Sequence, residues 1–250
     1  MRPRWTTLLP PEHGSWAFLI LPLAVGLLRR PSLAGGLLAL AVVCAFLIRI
    51  PLQRLHGLRR HPDAMVWART LRPLGILAAL AAMLAGASHS VVALGIAGGL
   101  LAAMSVPGIW VVRRSVAWEL GAAGLFSLQA PMILRLGGAS IREAGLVWVF
   151  LALFSLPPIF YLRQRLDSKG DLSRIWSSMA IHAAALLLAF CAFWAKLAPL
   201  AFLIWASMLA ARSLWGISRS WHAGRGRRLG MTEAFVGCVH LGLLVGGGWL

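Results

Sequence analysis

What most limits the folds open to this chain is where its 24 Lys and Arg residues fall relative to its long apolar runs. Segments 13–28, 33–50, 70–87, 90–106, 116–134, 143–161, 172–194, 198–216 and 231–249 are apolar throughout or nearly so. A helix needs about 20 such residues to cross the hydrocarbon of a bilayer. Inside lipid, backbone groups must bond within a helix or around a closed barrel. Runs this long and continuous do not suit barrel strands, which cross in about 10 residues. The sequence therefore predicts an all-α fold, a polytopic transmembrane helical bundle of about nine helices, with residues 1–250 as a single integral-membrane domain.

The basic residues crowd into alternate connections. Seventeen lie on one side: Arg2 and Arg4, five between Arg54 and Arg72, Arg113 and Arg114, four between Arg163 and Arg174, and four between Arg219 and Arg228. Five lie on the other side, namely Arg29, Arg30, Arg135, Arg142 and Lys196. Arg49 and Arg212 fall within spans. Such a bias retains the basic loops in the cytosol. It predicts a multi-pass membrane protein with a cytosolic amino terminus and, after nine spans, an outer carboxyl terminus. Arg2 and Arg4 before an apolar run resemble a signal peptide, but Pro10, Pro11, Glu12 and His13 interrupt that pattern and favour a retained first helix.

Composition agrees. The chain is 60% hydrophobic and 12% charged, whereas a soluble domain carries about 25% charged residues. A net charge of +17 would point to nucleic acid in a soluble protein. Here the charge is spread over short loops, with no face broad enough to follow a phosphate backbone. The bilayer and its anionic headgroups are the expected partners, and nucleic acid is not. Cys44, Cys191 and Cys238 each sit in an apolar run without metal-ligand spacing and read as small buried hydrophobes.

Ionisable side chains within spans are costly and mark candidate sites. Helix direction places Arg49, Glu119, Arg212 and Glu233 at one depth, just inside the cytosolic interface. This suggests a polar cavity opening inward, with structural ion pairs or snorkelling arginines as the plainer alternative. His182 and His240 lie deeper, each about ten residues into its span. Glu12 and His13 stand where the first helix meets the headgroups, with Trp16 as an interfacial anchor. Arg54, Tyr161, Arg163 and Arg165 complete the candidate cavity. Asp167 and Asp171 have D-x-x-x-D spacing. On a continuous helix they would share a face and could hold Mg²⁺ with a diphosphate. The alternative is a solvated loop with Arg163 and Asp167 as an i,i+4 pair.

Several stretches resemble the YwiC-like family of bacterial membrane proteins. They are Pro11-Glu12-His13-Gly14-Ser15-Trp16, Pro22, Arg49-Ile50-Pro51-Leu52, Glu119-Leu120-Gly121 with Ala130-Pro131, Tyr161-Leu162-Arg163-Gln164-Arg165, and Leu229-Gly230-Met231-Thr232-Glu233. More loosely, the helix number, orientation and long inner loops are similar to the UbiA superfamily of intramembrane prenyltransferases. That resemblance implies a UbiA-like bundle with an isoprenoid diphosphate held by Mg²⁺ between two Asp-rich motifs, Asp167 and Asp171 matching the second. Where the first would stand, the chain has Arg49, Arg54, His56, Arg59, Arg60 and Asp63. Arginine binds phosphate directly. The expected ligand is therefore an anionic lipid or isoprenoid diphosphate held mainly by Arg, with Mg²⁺ dispensable or weakly held. The residues define no catalytic group. A transporter, for which Pro157-Pro158 offers a break in a span, and a non-catalytic assembly partner are the alternatives.

The basic asymmetry predicts that a reporter fused after Leu250 is active only on the outer side of the membrane. Cytosolic activity would show that the sequence contains an even number of spans.

Overall fold

Leu, Ala, Val and Phe fill each apolar run, and Gly or Pro punctuates the connections, so each run has the composition of a helix with a definite end. The computed structural model describes residues 13–57, 63–87, 116–167, 172–218, 235–243 and 245. Eight helices are α1 His13–Arg29, α2 Leu33–Gly57, α3 Asp63–Ala87, α4 Val116–Ser127, α5 Gln129–Leu136, α6 Ile141–Asp167, α7 Leu172–Trp194 and α8 Leu200–Ser218. Residues 235–243 are also helical, and no strand occurs among the described residues. The expected span at 90–106 lies outside them. Two stretches, Ile141–Tyr161 in α6 and Ile175–Trp194 in α7, are long and apolar enough to cross a membrane.

Beyond the extension of α2 to Gly57 and of α3 back to Asp63, past the expected span ends, three expectations change. The run 116–134 is two helices, not one, separated by a turn at Leu128. Pro131 has no N–H to give the carbonyl of Ser127, four residues earlier, so the ladder loosens there. Leu128 N bonds Leu125 O at 3.2 Å instead of reaching back to Gly124. The Gly124 carbonyl accepts from Ser127 Oγ at 2.7 Å and from Trp148 Nε1 of α6 at 3.4 Å. Second, α6 runs unbroken through Pro157 and Pro158 to Asp167. The residues 162–167, read as loop, contain only Leu, Arg, Gln and Asp and carry no helix breaker. Third, only Cys44 is buried, while Cys191 and Cys238 lie on exposed helix faces.

The short α5 is the hub, packing against α1, α2, α4 and α6. Its Ala130, Ile133 and Leu134 are fully buried. Ile133 fits between two glycines: a Cβ on Gly26 of α1 would stand 2.7 Å from Ile133 Cβ, and one on Gly35 of α2 would stand 3.0 Å from Ile133 Cγ2. Around this contact Leu19, Leu23, Leu38, Val42 and Phe46 form one core, with Phe46 edge-on to Trp16 at 5.2 Å and to Phe126 at 6.1 Å. A second core joins α5 and α6 to α7 and α8 through Leu134, Val147, Phe150, Ala189, Phe202 and Trp205.

The connections are capped locally. Ser32 Oγ accepts from Gly35 N at 3.0 Å and starts α2. Ser140 Oγ accepts from Glu143 N at 3.1 Å and starts α6, the Ser-x-x-Glu pattern of a capping box. After α5, Gly138 takes a φ of +83°, open to glycine but strained for other residues. Ala139 N then closes on Leu134 O at 2.9 Å. Lys196 takes the left-handed position that ends α7, at φ 57°.

Gly26→Ala should destabilise the protein by about 1–3 kcal/mol, because the new methyl meets Ile133 with no room to relax. Gly36→Ala should leave the thermal midpoint in detergent almost unchanged, since nothing lies within 4 Å of its Cβ position. Equal midpoints for the two variants would refute the Ile133 contact.

Candidate functional site

The polar residues of α4, α6, α7 and α8 gather at one end of these helices. Tyr161 lies six residues before the end of α6, Ser178 six after the start of α7, and Arg212 six before the end of α8. At 1.5 Å per residue each is about 9 Å along its axis. Glu119 is in the first turn of α4, and Arg163 is one turn from the end of α6. The shared level inferred from sequence for Glu119 and Arg212 is thus joined by Tyr161 and Arg163.

These residues make two contacts on different flanks of α6. Residues two apart on a helix point about 200° apart, so Tyr161 and Arg163 face different neighbours. Arg163 Nε donates to Glu119 Oε2 of α4 at 2.7 Å, with side chains 21% and 30% exposed. Arginine 163 therefore bonds across to another helix, in place of the local pair with Asp167 considered from spacing. On the other flank the Arg212 guanidinium lies over the Tyr161 ring, 4.4 Å from its centroid. A cation over an aromatic face gains most where water is excluded, and Tyr161 is buried.

Beside Arg212, Ser213 Oγ lies 3.5 Å from Ser178 Oγ, a buried hydrogen bond joining α8 to α7. One turn deeper, His182 Nδ1 is 2.7 Å from the Ser178 carbonyl. A carbonyl only accepts, so Nδ1 carries the proton and Nε2 presents its lone pair. His182 is 3% exposed, and Nε2 is buried with no hydrogen-bond partner. Chemically the cluster offers a cation, two hydroxyls and one acceptor nitrogen within apolar helices. His240 belongs elsewhere, stacked on Trp205 with centroids 4.2 Å apart.

Other candidates lie beyond what the structure describes. Glu12, Asp171 and Glu233 are outside the described residues, as are the side chains of His13, Arg49, Arg54, Arg165 and Asp167. The backbone puts Arg49 and Arg54 within α2, Arg165 within α6, and Asp167 as the last residue of α6. Trp16, expected as an interfacial anchor, packs on Phe46.

Sequence reasoning missed three polar features. Ser178 and Ser213 are small residues inside apolar runs, and only their pairing across helices distinguishes them. Gln129 is 1% exposed and follows the turn at Leu128. A glutamine two residues before Pro131 in an apolar run was its only signal. Glu143, the first residue of the expected span 143–161, was not singled out. It accepts from Arg30 Nη2 at 3.3 Å and pairs with Arg29 Nη2 at 3.5 Å, fastening the α1–α2 turn to the start of α6.

A family model described as YwiC-like protein matches residues 9–134, half of the 250-residue chain. The matched part reaches from α1 into α5 and includes Glu119. Tyr161, His182 and Arg212 lie after it. No curated protein and no solved structure matches the chain.

Replacing Glu119 and Arg163 singly and together by Ala should give a coupling of about 1 kcal/mol, the scale of a partly exposed, charge-assisted contact. The check is a double-mutant cycle on stability in detergent. Additive effects would show that the two side chains do not interact.

Proposed function

We propose that this chain, which belongs to the YwiC-like family, is a multi-pass protein of the bacterial inner membrane whose cytosolic end binds the anionic headgroup of a lipid. The reading has nine spans in a UbiA-like bundle, the amino terminus in the cytosol and the carboxyl terminus outside. Wide apolar faces support a lipid setting: Ile76, Leu80, Met83 and Leu84 on α3, and Trp176, Leu187, Leu188, Phe190 and Trp194 on α7, are all exposed. Soluble monomers rarely carry contiguous apolar surface on this scale.

The observation that carries the binding reading is Arg212 over the Tyr161 ring beside Ser178, His182 and Ser213. A cation within an apolar span is costly and marks a functional position. The basic residues of α2, Arg49 and Arg54, add positive charge to the cytosolic side in this topology. The headgroup is an isoprenoid diphosphate or a phospholipid phosphate, bound chiefly by arginine. Asp167 and Asp171 could add a weakly held Mg²⁺.

A transporter is the second reading, favoured by the turn at Leu128 and the buried Gln129 beside it. Interrupted spans with polar residues are where transporters hold their substrates.

The test presents delipidated protein with farnesyl diphosphate, or with phosphatidylcholine vesicles containing phosphatidylglycerol, each with and without EDTA. At least one anionic probe should bind, persist in EDTA, and weaken roughly tenfold on Arg212→Gln, the scale of one lost charge-assisted contact. Binding abolished by both EDTA and Asp167→Asn would show a metal-dependent site. Binding of neither probe would refute the lipid reading and leave the transporter.

A further inference from the structure

The turns that join α1 to α2 and α5 to α6 meet at the end of α6 opposite Tyr161. A Cβ on Gly137 would stand 2.6 Å from Arg30 Cβ, and Arg30 Nη2 reaches Glu143 Oε2 at 3.3 Å. Arg29, Arg30, Arg135 and Arg142 thus gather at one end with a single carboxylate, Glu143. In the topology proposed above this is the outer side, and of the chain's 7 Asp and Glu residues only Glu143 falls there. Glu143 is taken by Arg29 and Arg30, so Arg135 and Arg142 have no carboxylate side chain on that side to pair with. Both are exposed. Arg135 Nη1 donates to the Ala139 carbonyl, which holds the guanidinium at the turn and leaves its other N–H groups to donate elsewhere. Basic residues on the outer side oppose the bias that sets the topology, and like charges gathered at one end repel. The cluster calls for an anion from outside the chain.

Exposed apolar side chains occupy the same helix ends. Leu28, in the last turn of α1, is 60% exposed, and Leu33 and Ile141, the first residues of α2 and α6, are 83% and 79% exposed. A free anion in water gives such side chains no cover, whereas the acyl chain of a lipid does. Resting on the membrane placement proposed above but not on its cytosolic site, we infer that these turns form a second lipid site on the outer side. Arg135 and Arg142 hold the phosphate of an anionic phospholipid there, and Leu28, Leu33 and Ile141 meet its acyl chains. Guanidinium N–H groups match phosphate oxygens two at a time. The turns stand where spans end, at the level of the headgroups, so a phosphate reaches the arginines without its lipid leaving the leaflet. A zwitterionic headgroup brings its own cation toward the arginines and is disfavoured, while an anionic one is not. Glu143 neutralises part of the charge of Arg29 and Arg30, so Arg135 and Arg142 are the pair that faces the ligand.

The test titrates delipidated full-length protein in detergent with phosphatidylglycerol or with phosphatidylcholine of the same acyl chains, and counts bound lipids by native mass spectrometry. Phosphatidylglycerol should bind tighter than phosphatidylcholine. Replacing Arg135 and Arg142 together by Gln should weaken phosphatidylglycerol about tenfold, the scale of a lost charge-assisted contact. Lys196→Gln, which removes the remaining basic residue of that side, should change binding by less than about twofold. The tenfold loss should be the same in protein that also carries Arg212→Gln, because the two sites lie at opposite ends of α6. A loss that vanishes in the Arg212→Gln protein overturns the inference, since one site would then account for both effects. Equal binding of the two lipids overturns it, as does a double variant that binds like the unaltered protein. Displacement of phosphatidylglycerol by inorganic phosphate at equal concentration also overturns it, the ligand then being a free anion. Loss on Arg135 and Arg142 replacement without any effect of Arg212→Gln upholds the outer site and removes the cytosolic one. If the double variant does not fold, Arg142→Gln alone decides, since Arg142 makes no hydrogen bond or ion pair among the described residues.

Discussion

The seating of Ile133 between Gly26 and Gly35 holds the two halves of the described structure together. A branched side chain enters a notch that exists only because two residues on adjacent helices lack a Cβ. In a membrane setting, helices gain little from apolar burial, since lipid tails are as apolar as leucine, and association relies on close packing. The notch supplies that closeness. It sets α5 against α1 and α2, and α5 leads through a four-residue turn into α6. Beyond Ile133 the same line of contact continues, with Gly137 so near Arg30 that a Cβ there would be 2.6 Å from the Arg30 carbonyl oxygen. Glu143 then holds Arg29 and Arg30 with both carboxylate oxygens. Apolar fit and ion pair thus act on one seam. The side chains of Arg29 and Glu143 are 12% and 17% exposed, so this pair is less screened than a surface bridge.

The turn at Leu128 follows from the same need. For α5 to reach the notch, the chain must change course after α4, and Pro131 supplies the break by withholding one donor. The Gly124 carbonyl, which Leu128 N does not reach, is not left bare: Ser127 Oγ and Trp148 Nε1 both donate to it. Trp148 belongs to α6, so the repair of the break also fixes α4 against α6. That contact helps set the course of α6 toward its far end, where Arg163 meets Glu119.

Much of the helix pattern was legible in the sequence, because apolar run length is a local property. The run 172–194 coincides with α7, and 13–28 with α1 to within one residue. Three features were not. Proline 131 and the pair Pro157-Pro158 look alike as breakers, yet only the first marks a turn. The helix that carries Pro157 and Pro158 packs against α4, α5 and α7. Residues 162–167 were read as loop because their charge suggested solvent, but Arg, Gln and Leu are good helix formers. Arginine 163 was weighed against its sequence neighbour Asp167, and its partner proved to be 44 residues away. Depth could be computed from sequence, which is why Glu119 and Arg212 were placed at one level. Facing could not, because rotation about a helix axis is set by what packs there.

That distinction between depth and facing decides how the polar end is read. Equal depth alone suggested one basic cavity. The rotation of α6 divides it, with Arg163 turned to α4 and Tyr161 turned to α8. On the first flank a carboxylate already neutralises the arginine, which is the arrangement of a structural tie. On the second, the Arg212 guanidinium lies over the Tyr161 ring. The Ser178–Ser213 hydrogen bond and His182 belong to α7 and α8, on this second side. The family match covers the helices that form the seam, including Gly26, Gly35 and Ile133, and stops before α6. The packing framework and the polar cluster therefore belong to successive parts of the chain, joined through the ion pair at Glu143.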